Sequence, residues 1–165
     1  EARARNADPH IRYEVCGIAE YSYPAGYYDL VVSNLALHYL ADLDDIYRKV
    51  FSTLRPGGVF LFNIEHPVFT AGVREDWVRD AEGRPVCWPV DNYYYPGERT
   101  TLFLGQEVKK QHHTLTQILM GLIRRGFVLE AVEEAMPDPS MLDLPGMADE
   151  MRRPMMLLVK ARKPV

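Results

Sequence analysis

The clearest pattern in the chain is an almost unbroken apolar run, Asp29-Leu-Val-Val-Ser33. Such runs predict strands covered on both faces, as in parallel sheets. Further on, Leu43, Ile46, Tyr47, Val50, Phe51 and Leu54 recur at three- and four-residue spacing, which predicts a helix over 42–55 with one buried face. Pro56-Gly57-Gly58 is expected to end that helix sharply. Val59, Phe60, Leu61, Phe62 and Ile64 then predict a second strand. Strand, loop, helix, turn and strand make a parallel βαβ unit, for which a right-handed crossover is expected.

The flanks are read in the same way. Residues 1–7 look like the tail of a helix, stopped by Asp8-Pro9. Ile11, Tyr13 and Val15 alternate with polar neighbours, so a strand is expected over 11–16, followed by a loop through Tyr23-Pro24-Ala25-Gly26. Leu115, Ile118, Leu119, Leu122 and Ile123 predict a helix over 112–124 capped by Gly126. Strands are expected over 127–134 and 155–161, forming an antiparallel pair at one sheet edge, with a loop and a short helix within 137–154. Residues 65–110 hold Pro67, Pro85, Pro89 and Pro96 among the aromatics Phe69, Trp77, Trp88, Tyr93, Tyr94 and Tyr95, with short strands expected at 84–88 and 107–112. A segment this long between regular elements is expected to be a lid or binding insertion within a single domain spanning 1–165, the rival being a packed flap.

Composition narrows the function classes. At 165 residues and 47% hydrophobic, the chain suits one domain with a sizeable core. The net charge of −4 argues against a basic nucleic-acid groove. No apolar run reaches the ~18 residues of a membrane span. The charged N-terminal stretch lacks the apolar centre of a signal peptide. Cys16 and Cys87 are too few for a thiolate zinc cluster, and both are expected to be reduced in a cytoplasmic protein.

Open parallel sheets bind ligands beyond the carboxyl ends of their strands. Gly17-Ile18-Ala19-Glu20, Ser33 to His38 and Asn63 to Pro67 are therefore expected to meet along one rim. His38 is a candidate proton acceptor, with an ordinary pKa near ~6.5, and Glu65 and His66 face the same rim. Packing roles compete with each of these. His112 and His113 are expected to be structural and His10 to lie at the surface. His38, Glu65 and His66 lack a metal-ligand spacing, so no metal is expected. Trp77, Trp88 and Tyr94 could line a pocket for a flat, apolar or cationic acceptor, beside Tyr93 and Tyr95. Arg74, Arg79, Arg84 and Arg99 could meet an anion. The methionines are expected to fill gaps.

The stretch from Tyr28 to Phe69 resembles the middle of a class I S-adenosylmethionine-dependent methyltransferase of the small-molecule type. Asp29 matches the acidic residue opening the family's fourth strand. Ser33 to Leu40 matches the segment before the fourth helix, and Leu54 to Gly58 the Leu-Arg-Pro-Gly-Gly turn before the fifth strand. The resemblance implies a partial doubly wound, Rossmann-like α/β sheet with parallel strands, a C-terminal antiparallel hairpin and an aromatic-rich insertion. It also implies S-adenosylmethionine as cofactor, with Gly17, Ile18, Ala19, Glu20, Asn34 and Leu35 as the adenine side of its site. Ile18 and Leu35 would form the apolar slot, and the Ala19 amide or the Glu20 carboxylate would meet the ring edge.

One departure bears on this. The family holds the methionine part of the cofactor with a glycine-rich loop, yet the 11 glycines of this chain include no Gly-x-Gly. Residues 1–7 resemble the helix after the family's second strand, so the chain is expected to lack the elements before it. Methyl transfer to a small molecule is the expected activity, without nucleic-acid or membrane partners. The alternative is an inactive domain that survives by pairing with itself or with another chain. The fourth strand would expose a central edge, so a homodimer, with or without strand exchange, is expected.

Overall fold

The computed structural model describes residues 1–72 and 74–165. In chain order the elements are α1 (Ala2–Arg5), β1 (Tyr28–Asn34), α2 (Leu43–Thr53), β2 (Leu54–Glu65), α3 (Pro67–Thr70), β3 (Val78–Arg79), β4 (Pro85–Cys87), β5 (Gly97–Phe103), β6 (Gln106–His112), α4 (Leu115–Arg124), β7 (Val128–Glu134), α5 (Met147–Glu150) and β8 (Met156–Arg162). Single 3-10 turns span Leu37–Tyr39 and Pro139–Met141. Four strands form one sheet in the order β1-β2-β8-β7. β1 and β2 run parallel, and β8 is antiparallel to both β2 and β7. The expected βαβ unit and closing hairpin are both present. Among the described residues no helix is long and apolar enough to cross a membrane.

Alternation along the strands explains the layers. Phe60, Phe62 and Ile64 of β2 and Leu157, Val159 and Ala161 of β8 point to one face, where α2 and α4 cover them. Asp42 caps α2 by accepting from the Asp45 amide, and Thr114 and Gln117 form a capping box on α4. Tyr47 of α2 is fully buried against Phe60 and Phe62, and Gly121 lets α4 approach: a Cβ there would sit 3.0 Å from the Tyr47 ring. The opposite sheet face is open among the described residues. Leu30 and Val32 of β1 are 52% and 59% exposed, so β1 is not covered on both faces as its apolar run suggested.

Two local expectations are corrected. Residues 11–16 form no strand, because alternation fixes a strand's faces but a ladder also needs a neighbour, and none lies beside them. The helix does not stop at Pro56-Gly57-Gly58. It ends at Thr53, and β2 already begins at Leu54. The triplet is instead a bulged crossing in which the Gly57 amide donates to Lys163 O at 2.9 Å. A Cβ on Gly58 would meet Arg55 O at 2.9 Å, so the backbone there is too crowded for a side chain.

Residues 66–112 fold as the short helix α3 and two hairpins, β3–β4 and β5–β6. The short strands expected near 84–88 and 107–112 are β4 and β6. Their partners, β3 and β5, gave no apolar signal.

Candidate active site at the strand ends

β1 and β2 finish side by side, with Ser33 opposite Phe62 and Asn34 opposite Asn63. The Leu35 amide donates to Asn63 O at 2.9 Å, and Asn63 Nδ2 donates to Asn34 Oδ1 at 3.2 Å. Leu35 sits at φ +52°, in the left-handed region that costs a non-glycine residue about 1–2 kcal/mol. That kink lifts the chain off the sheet and sends Leu37 and His38 inward through the 3-10 turn, where both are buried.

His38 meets the end of β2 through two contacts. The Glu65 amide donates to His38 Nδ1 at a long 3.4 Å, which leaves the proton on Nε2, 3.9 Å from Glu65 Oε1. Burial, and then the charge of Lys110, push the His38 pKa down to about 4. His66 caps α3, with Nδ1 accepting from the Val68 amide at 3.0 Å. Its Nε2 lies 3.0 Å from Glu134 Oε1 at an angle outside hydrogen-bonding range. Burial lowers the His66 pKa against the pull of Glu134. Both imidazoles are neutral near pH 7, with all four nitrogens turned toward protein groups.

Glu65 differs. Lys110 Nζ donates to Glu65 Oε1 at 2.6 Å and to Glu75 Oε2 at 3.0 Å. Glu65 Oε2 and Glu75 Oε1 are buried and find no partner among the described residues. Burial, then the nearby Glu75 charge, raise the Glu65 pKa against the pull of Lys110. Burial alone would lower the Lys110 pKa, but the two carboxylates outweigh it and hold it above the ordinary value. Neither Lys110 nor Glu75 stood out as a candidate in the sequence. The available signal was Lys110 in register with Val108 and His112, on the inward side of an alternating strand.

The aromatic residues divide. The Trp88 ring stacks on Phe69 at 5.1 Å, and its Nε1 donates to Val68 O. Trp77 packs edge-on against Trp88 at 5.3 Å. The Arg153 guanidinium lies 4.3 Å from the Trp88 centroid and is paired with Glu150, while Arg152 lies over Trp77. Trp77, Trp88 and Val68 border a cavity of about 300 Å³, with Arg152 and Arg153 on its wall. Tyr94 stands apart at 85% exposure, with its ring edge against Tyr93. His112 braces the segment: Thr70 Oγ1 donates to its Nδ1 at 2.7 Å, and its Nε2 donates to Tyr93 O at 2.9 Å.

The third expected strand end lies differently. Ile18 is half-buried and packs on the core, its carbonyl accepting from the Tyr23 hydroxyl. Ala19 O accepts from Lys49 Nζ of α2 at 2.9 Å, and Glu20 is exposed. Gly17 and Ile18 line a cleft of about 790 Å³ with Tyr21, Tyr23 and Tyr28; Ala19, Glu20, Asn34 and Leu35 lie outside its wall. Its volume and tyrosine faces fit the adenosine half of a nucleoside cofactor. Nothing in the chain supplies the glycine-rich cradle for an amino-acid half. Among the described residues no group of three or more His, Cys, Asp or Glu is placed to hold a metal ion.

Comparison with known proteins points the same way. A family model described as a methyltransferase domain matches residues 1–62. An S-adenosylmethionine-dependent methyltransferase from Mesorhizobium loti is 43% identical, with a TM-score of 0.85 over 98% of this chain and 74% of its own. A proposed enzyme of the same class from Listeria monocytogenes is 44% identical, with a TM-score of 0.94 over 99% of this chain and 74% of its own. An uncharacterized protein of Haemophilus influenzae is 28% identical over 145 residues; the match spans 85% of this chain and 56% of that relative, little more than half its length.

Proposed function

Because the chain belongs to the class I S-adenosylmethionine-dependent methyltransferases, we propose that it serves the transfer of a methyl group from S-adenosylmethionine to a small-molecule acceptor. One observation carries the placement of the chemistry. Among the described residues the accepting nitrogens of His38 and His66 are already taken by backbone amides, whereas Glu65 Oε2 accepts no hydrogen bond.

When bound, S-adenosylmethionine supplies an electrophilic sulfonium methyl group, so the protein's task is alignment and exclusion of water. Of the six residues expected there, Gly17 and Ile18, with the faces of Tyr21, Tyr23 and Tyr28, are assigned to its adenosine part, while Ala19, Glu20, Asn34 and Leu35 stand outside that cleft. Glu65 receives the proton that the acceptor's nucleophile gives up. Burial raises its pKa, which makes it a stronger base than an exposed glutamate. His38 holds the turn after β1 against the end of β2, and His66 fixes the start of α3. Trp77 and Trp88 wall the acceptor side, with Tyr94 at the outer rim. The unpaired Cys16 and Cys87 accord with a cytoplasmic setting. The open edge and exposed apolar side chains of β1 favour self-association.

The test is made on the protein that carries this chain. Calorimetry with S-adenosylhomocysteine is expected to give micromolar binding, and sedimentation of the same sample to show a concentration-dependent dimer. Glu65→Gln is expected to lower kcat by roughly 10²-fold or more, the span of a general base, while cofactor affinity stays within about twofold. An unchanged kcat across pH would remove Glu65 from the chemistry. Absence of cofactor binding would remove the methyl-transfer reading altogether.

A further inference from the structure

Lys110 is shared by two carboxylates that belong to different parts of the molecule. Glu65 ends β2 in the sheet, whereas Glu75 and Lys110 both lie in the segment between β2 and α4. The three side chains are 8%, 3% and 3% exposed. Two ring faces complete the surroundings of the ammonium, Phe69 at 5.8 Å and Phe103 at 5.5 Å. His38 beside them is neutral, so a buried cluster of two carboxylates holds one cation. Buried charge without a partner is costly, and each carboxylate still offers one oxygen unpartnered among the described residues. The neighbouring cations are already committed, Arg152 to Asp149 and Arg153 to Glu150. Carboxylates and aromatic faces gathered around an ammonium are the arrangement that recognises an organic cation.

We propose that the acceptor is an amine, received as its ammonium ion at Glu65 against the Phe69 ring, and that the Lys110 ammonium holds this place when the acceptor is absent. This rests on the reading of Glu65 as the acceptor side of the site. Lys110 can yield Glu65 without losing its charge partner, because Glu75 remains within reach at 3.0 Å. Phe103, 52% exposed on the same hairpin as Lys110, forms the outer wall. The exchange also balances chemically. The acceptor nitrogen passes one proton to Glu65, and its freed lone pair forms the N–C bond as the C–S bond opens with its electron pair remaining on sulfur. The methylated amine leaves as Lys110 returns.

Benzylamine, benzyl alcohol and benzoate share one ring and differ in charge, and they are the probes. They are titrated by calorimetry and thermal shift near neutral pH, without cofactor. Benzylamine is expected to bind about tenfold or more tighter than the alcohol, as a buried cation contact would give, with benzoate weakest. Glu65→Gln is expected to abolish the preference. Lys110→Ala is expected to tighten benzylamine by about tenfold, since the placeholder is gone. Lys110→Gln, which keeps most of the volume without the charge, gives the same comparison if the alanine variant does not fold. Equal binding of amine and alcohol, a preference for benzoate, or an amine preference that survives Glu65→Gln would overturn the proposal. S-adenosylhomocysteine titrated in parallel separates the two readings: its binding without an amine preference defeats only this inference, and its failure to bind defeats the methyl-transfer reading as well.

Discussion

Replacing Lys110 by methionine keeps an unbranched side chain one atom shorter and removes the only cation paired with Glu65 and Glu75 among the described residues. Removing one member of a buried ion pair costs about 3–5 kcal/mol, because the remaining charge stays buried without compensation. Here two carboxylates would be left, each with one oxygen that already lacks a partner. The folded variant relieves this by keeping a proton on one of them well above the ordinary glutamate range. A folded-state pKa raised above the unfolded value gives stability that is present at low pH and lost as pH rises through the raised value. The slope is about 1.4 kcal/mol per pH unit for each retained proton. Lys110→Met is therefore expected to cost about 3–5 kcal/mol at pH 7.5 and distinctly less at pH 5.5. For a chain of this size the loss at pH 7.5 corresponds to a Tm lower by about 10 °C. Urea unfolding of wild type and variant at both pH values reads it directly. Adding Glu65→Gln to Lys110→Met is expected to restore more than about 1 kcal/mol, as coupled neighbours do. A loss of the same size at both pH values, or one below about 1 kcal/mol, would refute the account of Lys110 as the counter-ion of two ionised carboxylates.

Two further outcomes are expected. His38, His66, His112 and His113 are buried with pKa values lowered first by burial, His38 to about 4. Their stabilising effect is whole above their unfolded value of ~6.5 and is lost as pH falls toward 4, so stability should rise with pH across that window at up to about 1.4 kcal/mol per unit for each ring; a flat profile from pH 4 to 6.5 would show that the rings charge without unfolding. The hydroxyl of the fully buried Tyr47 has no partner among the described residues. Tyr47→Phe is thus expected to stabilise by about 1 kcal/mol, or about 3 °C in Tm, in a melting experiment, and a lower Tm would mean that the hydroxyl has a bonded partner after all.

Much of the sheet was legible because its signals are local. The helical spacing from Leu43 to Leu54 and the apolar runs around Val31 and Phe60 each carry their own period, and α2, β1 and β2 form there. What failed was non-local. Ile11, Tyr13 and Val15 alternate as a strand does, but only a neighbouring ladder turns alternation into a strand. β5 escaped notice because Glu98, Arg99, Thr100 and Thr101 are polar, and the strand is made by pairing with β6. At the candidate site, residue type and strand-end position marked His38, Glu65 and His66 alike, and what sets them apart, the partners of each side chain, is written in no local pattern. The two groups that set the state of Glu65 lie 10 and 45 residues away from it, a distance across which no sequence period reaches.

The position of β8 has a consequence for how the molecule is made. It is the last of the four sheet strands to be synthesised, yet it sits between β2 and β7. Until Met156–Arg162 has left the ribosome, β7 has nothing to pair with and β2 lacks one neighbour. The sheet closes by insertion of β8, so the nascent chain carries the open ladder of β2 from Glu65 onward and that of β7 as well from Glu134 onward. That interval, more than the finished protein, is when chaperone holding would matter and when a stalled or shortened translation product would aggregate.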